Sequence, residues 1–184
     1  MSDNRDFYTV ELAGLKRDLP LFEVGPGLRI AVLNILGDTE LVQACGRALA
    51  EKLARADYDV LITAEAKSIP LIHSLSVETG RPYVVLRKTY KPYMGVALSA
   101  ETLSITTGNP QMLYLDEKDV GKIEGRKVML VDDVISTGST LQGMQLVVEK
   151  AGGEVAGYAA ICTEGERARW ADVIALEHLP LFTD

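Results

Sequence analysis

Residues 128–140 read VMLVDDVISTGST, and no other stretch of the chain limits its fold and chemistry so strongly. Val128 to Val131 form a short apolar run of the kind that builds a strand buried on both faces. Two adjacent acids, Asp132 and Asp133, interrupt it. Ser136, Thr137, Gly138, Ser139 and Thr140 follow as a loop of small, mostly hydroxylated residues. The loop feeds a helix whose apolar face is Leu141, Met144, Val147, Val148 and Ala151. Such a junction turns backbone N–H groups and the positive end of a helix dipole outward, which makes a cradle for an anion. Two carboxylates cannot face that anion, but they can accept hydrogen bonds from neutral hydroxyls a few ångströms away. A molecule with a phosphate at one end and vicinal hydroxyls in its middle, such as ribose 5-phosphate, satisfies both halves. A pair of acids by itself reads more simply as a helix cap or a solvated turn; the adjoining loop is what changes the reading.

The rest of the chain alternates strand and helix signals. Residues 1–38 read as irregular, broken by Pro20, Gly25, Pro26 and Gly27. Asp38-Thr39 caps a helix expected from about Glu40 to Ala56. DVLIT (59–63) is a buried strand, a helix follows at about Ile69–Thr79 and stops at Gly80, and YVVLR (83–87) is the next strand. TLSIT (102–106) and QMLYL (111–115) form a hairpin around Gly108-Asn109-Pro110. KVMLV (127–131) is a strand, its helix runs from about Ser139 to Ala151, and Gly152-Gly153 ends it. VAGYAAIC (155–162) and VIAL (173–176) complete the set. This alternation predicts an α/β fold, a parallel twisted sheet flanked by helices on both faces. In such sheets ligands sit at the carboxyl ends of the strands. AEAKS (64–68), RKTYK (87–91) and DDVISTGST (132–140) all follow strands there.

A chain of 184 residues suits one domain, 1–184, with a sizeable core. It is 47% hydrophobic and 24% charged, as globular proteins are. No run approaches the roughly 20 apolar residues of a membrane span, and the start MSDNRDFYTV has no basic-then-apolar leader pattern. The net charge of −7 argues against general nucleic-acid binding, so an anionic ligand must be met by local cations or amides. Cys45 and Cys162 lie in apolar runs far apart and read as free core thiols, which points to a reducing cytoplasm. A P-loop needs G-x-x-x-x-G-K-[ST] and a dinucleotide site needs G-x-G-x-x-G; neither string occurs. His73 and His178 are isolated and receive no role.

VMLVDDVISTGST resembles the 5-phosphoribosyl 1-pyrophosphate (PRPP) motif of the type I phosphoribosyltransferases. Weaker similarity runs from about residue 19 to the C-terminus in the order of the purine-salvage members, adenine phosphoribosyltransferases above all. The resemblance implies that Asp132 and Asp133 bind the ribose hydroxyls and that Ser136, Thr137, Gly138, Ser139 and Thr140 bind the 5-phosphate. It assigns Ala66, Lys67 and Ser68 to a pyrophosphate loop, although Lys67 stands where adenine-type members often carry arginine. Arg87, Lys88 and Lys91 would lie near the pyrophosphate. Residues 88–112 match a flexible hood, with Tyr90, Tyr93 and Glu101 as candidates to belong to it. Mg²⁺ would enter with PRPP near Asp132 and Asp133 rather than through a dedicated protein cage. A homodimer is the family's common form.

The implied reaction displaces pyrophosphate from C1 of PRPP by a ring nitrogen of a purine, adenine favoured. Base contacts would come from Val134, Ile135 and Glu164, with Trp170 either a stacking surface or a core residue. Ser136 stands where hypoxanthine-guanine enzymes carry an aspartate, and Ile30, Ala31 and Val32 replace the adenine type's Phe-Arg-Asp. Hypoxanthine/guanine, xanthine and then orotate transfer are the alternatives. A non-catalytic PRPP-sensing regulator is the rival from another class; a DNA-binding form would carry an extra basic helical domain, which residues 1–38 are too short and too weakly basic to supply.

Overall fold

The computed structural model describes residues 6–103 and 110–183. The chain runs β1 (Phe7–Leu12), β2 (Leu15–Gly25), β3 (Leu28–Ala31), α1 (Thr39–Leu53), β4 (Val60–Ala64), α2 (Ile69–Thr79), β5 (Tyr83–Leu86), β6 (Leu98–Leu103) and β7 (Pro110–Leu115). It continues through α3 (Glu117–Ile123), β8 (Lys127–Ile135), α4 (Ser139–Lys150), β9 (Glu154–Glu164), β10 (Val173–Leu179) and β11 (Phe182–Thr183).

The central sheet has five strands in the order β10-β9-β8-β4-β5, all parallel. Its strands read as continuous apolar runs because both faces are covered. Leu61, Met129, Val131, Ala159 and Ile161 join α1 and α2 in one buried cluster. Val60, Ile62, Val128 and Leu130, one residue out of phase, join Met144, Val147 and Val148 of α4 in the other. Asp38 caps α1 by accepting from the Leu41 amide, and Gly80, at φ 66°, ends α2 in the left-handed conformation open to glycine. Cys45 and Cys162 are free and buried. Among the described residues no helix is long and apolar enough to cross a membrane.

The first 38 residues are more regular than their breakers suggest. β1 and β2 form an antiparallel hairpin closed at Leu12↔Leu15, and β3 and β11 extend it to four strands. Ala13 and Gly14, at φ 51° and 81°, make the two-residue turn that such hairpins favour. Gly25, Pro26 and Gly27 are the turn between β2 and β3. Val10, Leu12 and Leu19 bury one side of this sheet against α1, so it adds to the first cluster. α1 stops at Leu53, three residues short of the expected Ala56, and α3 had no clear sequence signal.

A hairpin forms between β6 and β7, antiparallel from Leu98↔Leu115 to Leu103↔Pro110; its first strand begins at Leu98, four residues before the expected 102–106, of which 104–106 lie outside the described residues, and Pro110, expected in the turn, opens β7. Its proposed turn at Gly108 and Asn109 lies outside the described residues. Ala100, Leu113 and Leu115 pack into the second cluster, and reciprocal amide bonds of 2.9 and 2.8 Å tie Arg87 to Tyr114. Within the span expected as a flexible hood, 88–112, residues 98–103 pair with β7.

The sheet changes direction between β4 and β8. From β4 the chain moves outward to β5, whereas from β8 it moves the other way to β9 and β10. The β4–β8 pairing runs from Val60↔Val128 to Ile62↔Leu130, while β8 stays paired with β9 as far as Ile135↔Thr163. A crevice opens at this switch point, flanked by the loops after β4 and β8. Leu130, fully buried between these neighbours, should be sensitive to truncation. Leu130→Ala is expected to lower the unfolding free energy by about 2–5 kcal/mol in urea denaturation; a loss below about 1 kcal/mol would show that the strand is not central to the core.

Candidate active site

The crevice brings together two segments more than sixty residues apart in sequence. Ser68, immediately before α2, has its hydroxyl 2.6 Å from Asp132 Oδ1 and 3.2 Å from Asp133 Oδ1, and accepts from the Asp133 amide at 3.0 Å. It is 1% exposed. Because its hydroxyl is committed to the acids, it does not cap α2 with its side chain. Lys67 Nζ lies 2.9 Å from Asp133 Oδ2. That oxygen is buried and has no partner in hydrogen-bond geometry, so the lysine meets it as a charge rather than as an aligned donor. Lys67 also donates to the Leu33 carbonyl at 3.4 Å. The Glu65–Ala66 peptide is cis, and Ala66 and Ile69 are joined by a turn bond of 3.3 Å.

The loop after β8 has the expected anion-cradle form. Gly138 occupies the N-cap of α4 at φ 83°, and no side chain caps this end. Among the described residues the amides of Gly138, Thr140 and Leu141 have no protein acceptor; the Ser139 amide meets Thr137 Oγ1 at 3.4 Å. Asp132, Val134, Ile135 and the residues from Ser136 to Leu141 line a cleft of about 140 Å³. Larger clefts exist, including one of about 670 Å³ between α1 and α2 and one of about 680 Å³ lined by Glu65, Arg87 and Tyr93 among others.

The remaining candidates fall into two groups. Arg87, at the end of β5, donates through Nε to Glu65 Oε2 at 2.5 Å, and Glu65 Oε1 also accepts from the Lys88 amide at 2.6 Å. The Arg87 guanidinium is thus already neutralised, whereas the side chains of Lys88 and Lys91 are exposed. Tyr93 hydroxyl stands 3.5 Å from Arg87 Nη1, and Tyr90 donates to the Gly95 carbonyl at 3.2 Å. On the other side of the crevice Ile135 and Glu164 are buried, and Val134 is half-buried. Glu164 Oε2 accepts from Ser136 Oγ at 2.6 Å. Sequence reasoning gave Glu65 no role, though it lies within the quoted AEAKS. It also gave none to Arg169, which donates to the Thr137 carbonyl at 2.7 Å. An acid facing a basic segment across two parallel strands could have flagged Glu65; nothing local marks Arg169.

Electrostatically Asp132 resists ionisation. Burial, and then the neighbouring Asp133 charge, push the Asp132 carboxyl up to about 7 from its ordinary 3.8, against the opposing hydrogen bond from Ser68. A carboxyl whose pKa is raised by folding binds more protons in the native state. Its contribution to stability is therefore complete below about 4 and is lost as pH rises through about 7. Asp132→Asn removes that penalty while keeping an acceptor for Ser68. The variant is expected to be more stable than the parent at pH 8, with the difference shrinking toward pH 4, in denaturation measured across that range. An identical pH slope in both proteins would contradict the proton uptake.

Comparisons with known proteins identify the family. Residues 32–176 match the phosphoribosyl transferase domain. The adenine phosphoribosyltransferase of Thermosipho africanus is 31% identical over 79% of this chain and 83% of its own. The hypoxanthine/guanine phosphoribosyltransferase of a Methanocaldococcus species is 36% identical over 60% of this chain and 53% of its own, so the match spans about half that relative's length. The purine biosynthesis transcriptional repressor PurR of Bacillus subtilis is 27% identical over 86% of this chain and 54% of its own. The crystal structure of adenine phosphoribosyltransferase from Thermoanaerobacter pseudethanolicus superposes with a TM-score of 0.67 at 22% identity, covering 94% of this chain and 95% of that one, and shares its fold. With a matched domain spanning most of its length and an acid pair and amide loop at the sheet's switch point, the chain belongs to the phosphoribosyl transferase domain family.

Proposed function

We propose that this protein is a purine phosphoribosyltransferase, with adenine the favoured base. It would transfer the 5-phosphoribosyl group of PRPP to a ring nitrogen of the base and release pyrophosphate. The observation that carries the reading is the adjacency of unpaired amides at the start of α4 to Asp132 and Asp133, an anion site beside a diol site. The 5-phosphate fits the amides of Gly138, Thr140 and Leu141. The ribose hydroxyls then donate to the two carboxylates.

At the reacting centre the bond from C1 to pyrophosphate weakens as the base nitrogen approaches. Positive charge grows on the sugar ring, and the acids beneath it orient the ring and offset that charge. Negative charge grows on the departing pyrophosphate, so cations there lower the barrier more than they stabilise the ground state. Lys67, Lys88 and Lys91 are suited to this part, because Arg87 is held by Glu65. Lys67 is the most constrained of the three through its contact with Asp133.

The donor set also fits Mg²⁺. Among the described residues no group of three or more metal-ligating side chains exists, yet the buried Asp133 Oδ2 lacks a hydrogen-bond partner. Two carboxylates suit an ion that keeps water and substrate oxygens as its main ligands. When bound, Mg²⁺ would neutralise charge on the pyrophosphate.

Support for adenine is the Thermosipho relative, which aligns along most of both chains. The methanogen relatives keep hypoxanthine/guanine as the alternative base class. The match to a repressor over 86% of this chain favours a second reading, a PRPP sensor without transfer activity. One assay separates them: PRPP and Mg²⁺ with adenine, hypoxanthine, guanine, xanthine or orotate in turn, following pyrophosphate release, alongside calorimetric PRPP binding. Release with adenine is the expected result. Binding without release from any base would establish the sensor. Asp133→Asn should reduce kcat/KM by roughly two orders of magnitude with its circular dichroism unchanged; undiminished turnover would remove the acids from the mechanism.

A further inference from the structure

The segment joining β9 to β10 touches the phosphate loop at three points. Glu164, 4% exposed at the end of β9, holds Ser136 Oγ at 2.6 Å. Arg169 Nη2 donates to the Thr137 carbonyl at 2.7 Å. Trp170 donates through Nε1 to the Glu164 carbonyl at 2.8 Å, and its ring lies so close to Gly138 that a Cβ there would stand 2.8 Å from Cη2. The Arg169 guanidinium stacks over the Trp170 ring at 4.7 Å, where cation–π attraction holds both in one arrangement. The loop residues themselves supply two weak internal links among the described residues, both between Thr137 and Ser139: their hydroxyls at 3.1 Å, and the Ser139 amide to Thr137 Oγ1 at 3.4 Å.

We propose that Glu164, Arg169 and Trp170 form a latch that fixes the loop from Ser136 to Thr140 in its phosphate-accepting conformation, with Arg169 as the principal positioning residue. This rests on the reading of that loop as the 5-phosphate site. The loop's carbonyl at Thr137 is drawn outward by Arg169, which leaves the amides after it facing the cleft. Gly138 is needed twice, for its positive φ and because Trp170 occupies the space beside it. An arginine suits this place since one planar group can both stack and donate, which a lysine cannot reproduce. Trp170 therefore acts on the phosphate end of the ligand rather than on the base.

Trp170 is the chain's single tryptophan, so its fluorescence reports on the loop without a label. Titrating the full chain with ribose 5-phosphate is expected to give a saturable change in that signal. Binding is also read by calorimetry, with inorganic pyrophosphate as a second probe for the loop after β4. Arg169→Ala should weaken ribose 5-phosphate roughly ten-fold, with pyrophosphate affinity and melting temperature unchanged, and Arg169→Lys should recover only part of the loss. Equal ribose 5-phosphate affinity in parent and Arg169→Ala would overturn the latch while leaving the phosphate site intact. Parallel loss of both ligands would also overturn it, since the effect would then be a general loss of structure. A parent protein that binds no ribose 5-phosphate by either readout would refute the phosphate site itself, and the latch with it.

Discussion

Two adjacent carboxylates held in a crevice of a parallel sheet are the constraint around which the rest of this molecule is arranged. Buried acids are tolerated when charge or hydrogen bonds meet them. Here Ser68 bridges both and Lys67 supplies charge, and both come from the loop after β4. The pairing is possible because β4 and β8 are neighbours whose crossovers leave in opposite directions, so their loops face one another across the gap. Burial and the neighbouring Asp133 charge still hold the Asp132 carboxyl above its ordinary range. A bound sugar diol and its cation would add to the compensation from Ser68 and Lys67.

The second half of the site follows from how α4 begins. A glycine N-cap without a capping side chain leaves the first amides of the helix open. In a chain of net charge −7, an anion finds no favourable overall field. Its affinity must come from these few aligned donors and from the nearby lysines. The same reasoning explains why the cations divide into two kinds. Arg87 is locked to Glu65 and to the β7 backbone, which makes it part of the framework. Lys67, Lys88 and Lys91 have long flexible stems and, in the proposed reaction, would follow the charge that moves.

The sheet and the heart of the candidate site were legible in the sequence for specific physical reasons. Val128 to Val131 and the matching runs at 59–63 and 155–162 announce strands covered on both faces. Asp132, Asp133 and the loop from Ser136 to Thr140 lie contiguously, so one short stretch displays both halves of the binding chemistry. The N-terminal sheet was hidden because Pro20 and the Gly25-Pro26-Gly27 turn imitate irregular chain, while the packing that organises it comes from α1 and β11, far away in sequence. Contacts made across the fold were equally hidden. Nothing in the sequence places the Ser68 hydroxyl against Asp132 or the Arg169 guanidinium against the Thr137 carbonyl, because each pair is brought together from distant segments. Base selection stays the least legible part, since Ile30, Ala31 and Val32 offer apolar side chains where adenine-type members carry Phe-Arg-Asp.

The central claim is that main-chain amides at the start of α4 hold a sugar phosphate beside the two aspartates. Amide hydrogen exchange tests it at the atoms concerned, because the Gly138, Thr140 and Leu141 amides have no acceptor among the described residues. Saturating ribose 5-phosphate should slow exchange at these amides by about ten-fold or more, with little change in the hairpin of β1 and β2. Unchanged exchange there under saturating ligand, or protection appearing only elsewhere in the fold, would contradict the account.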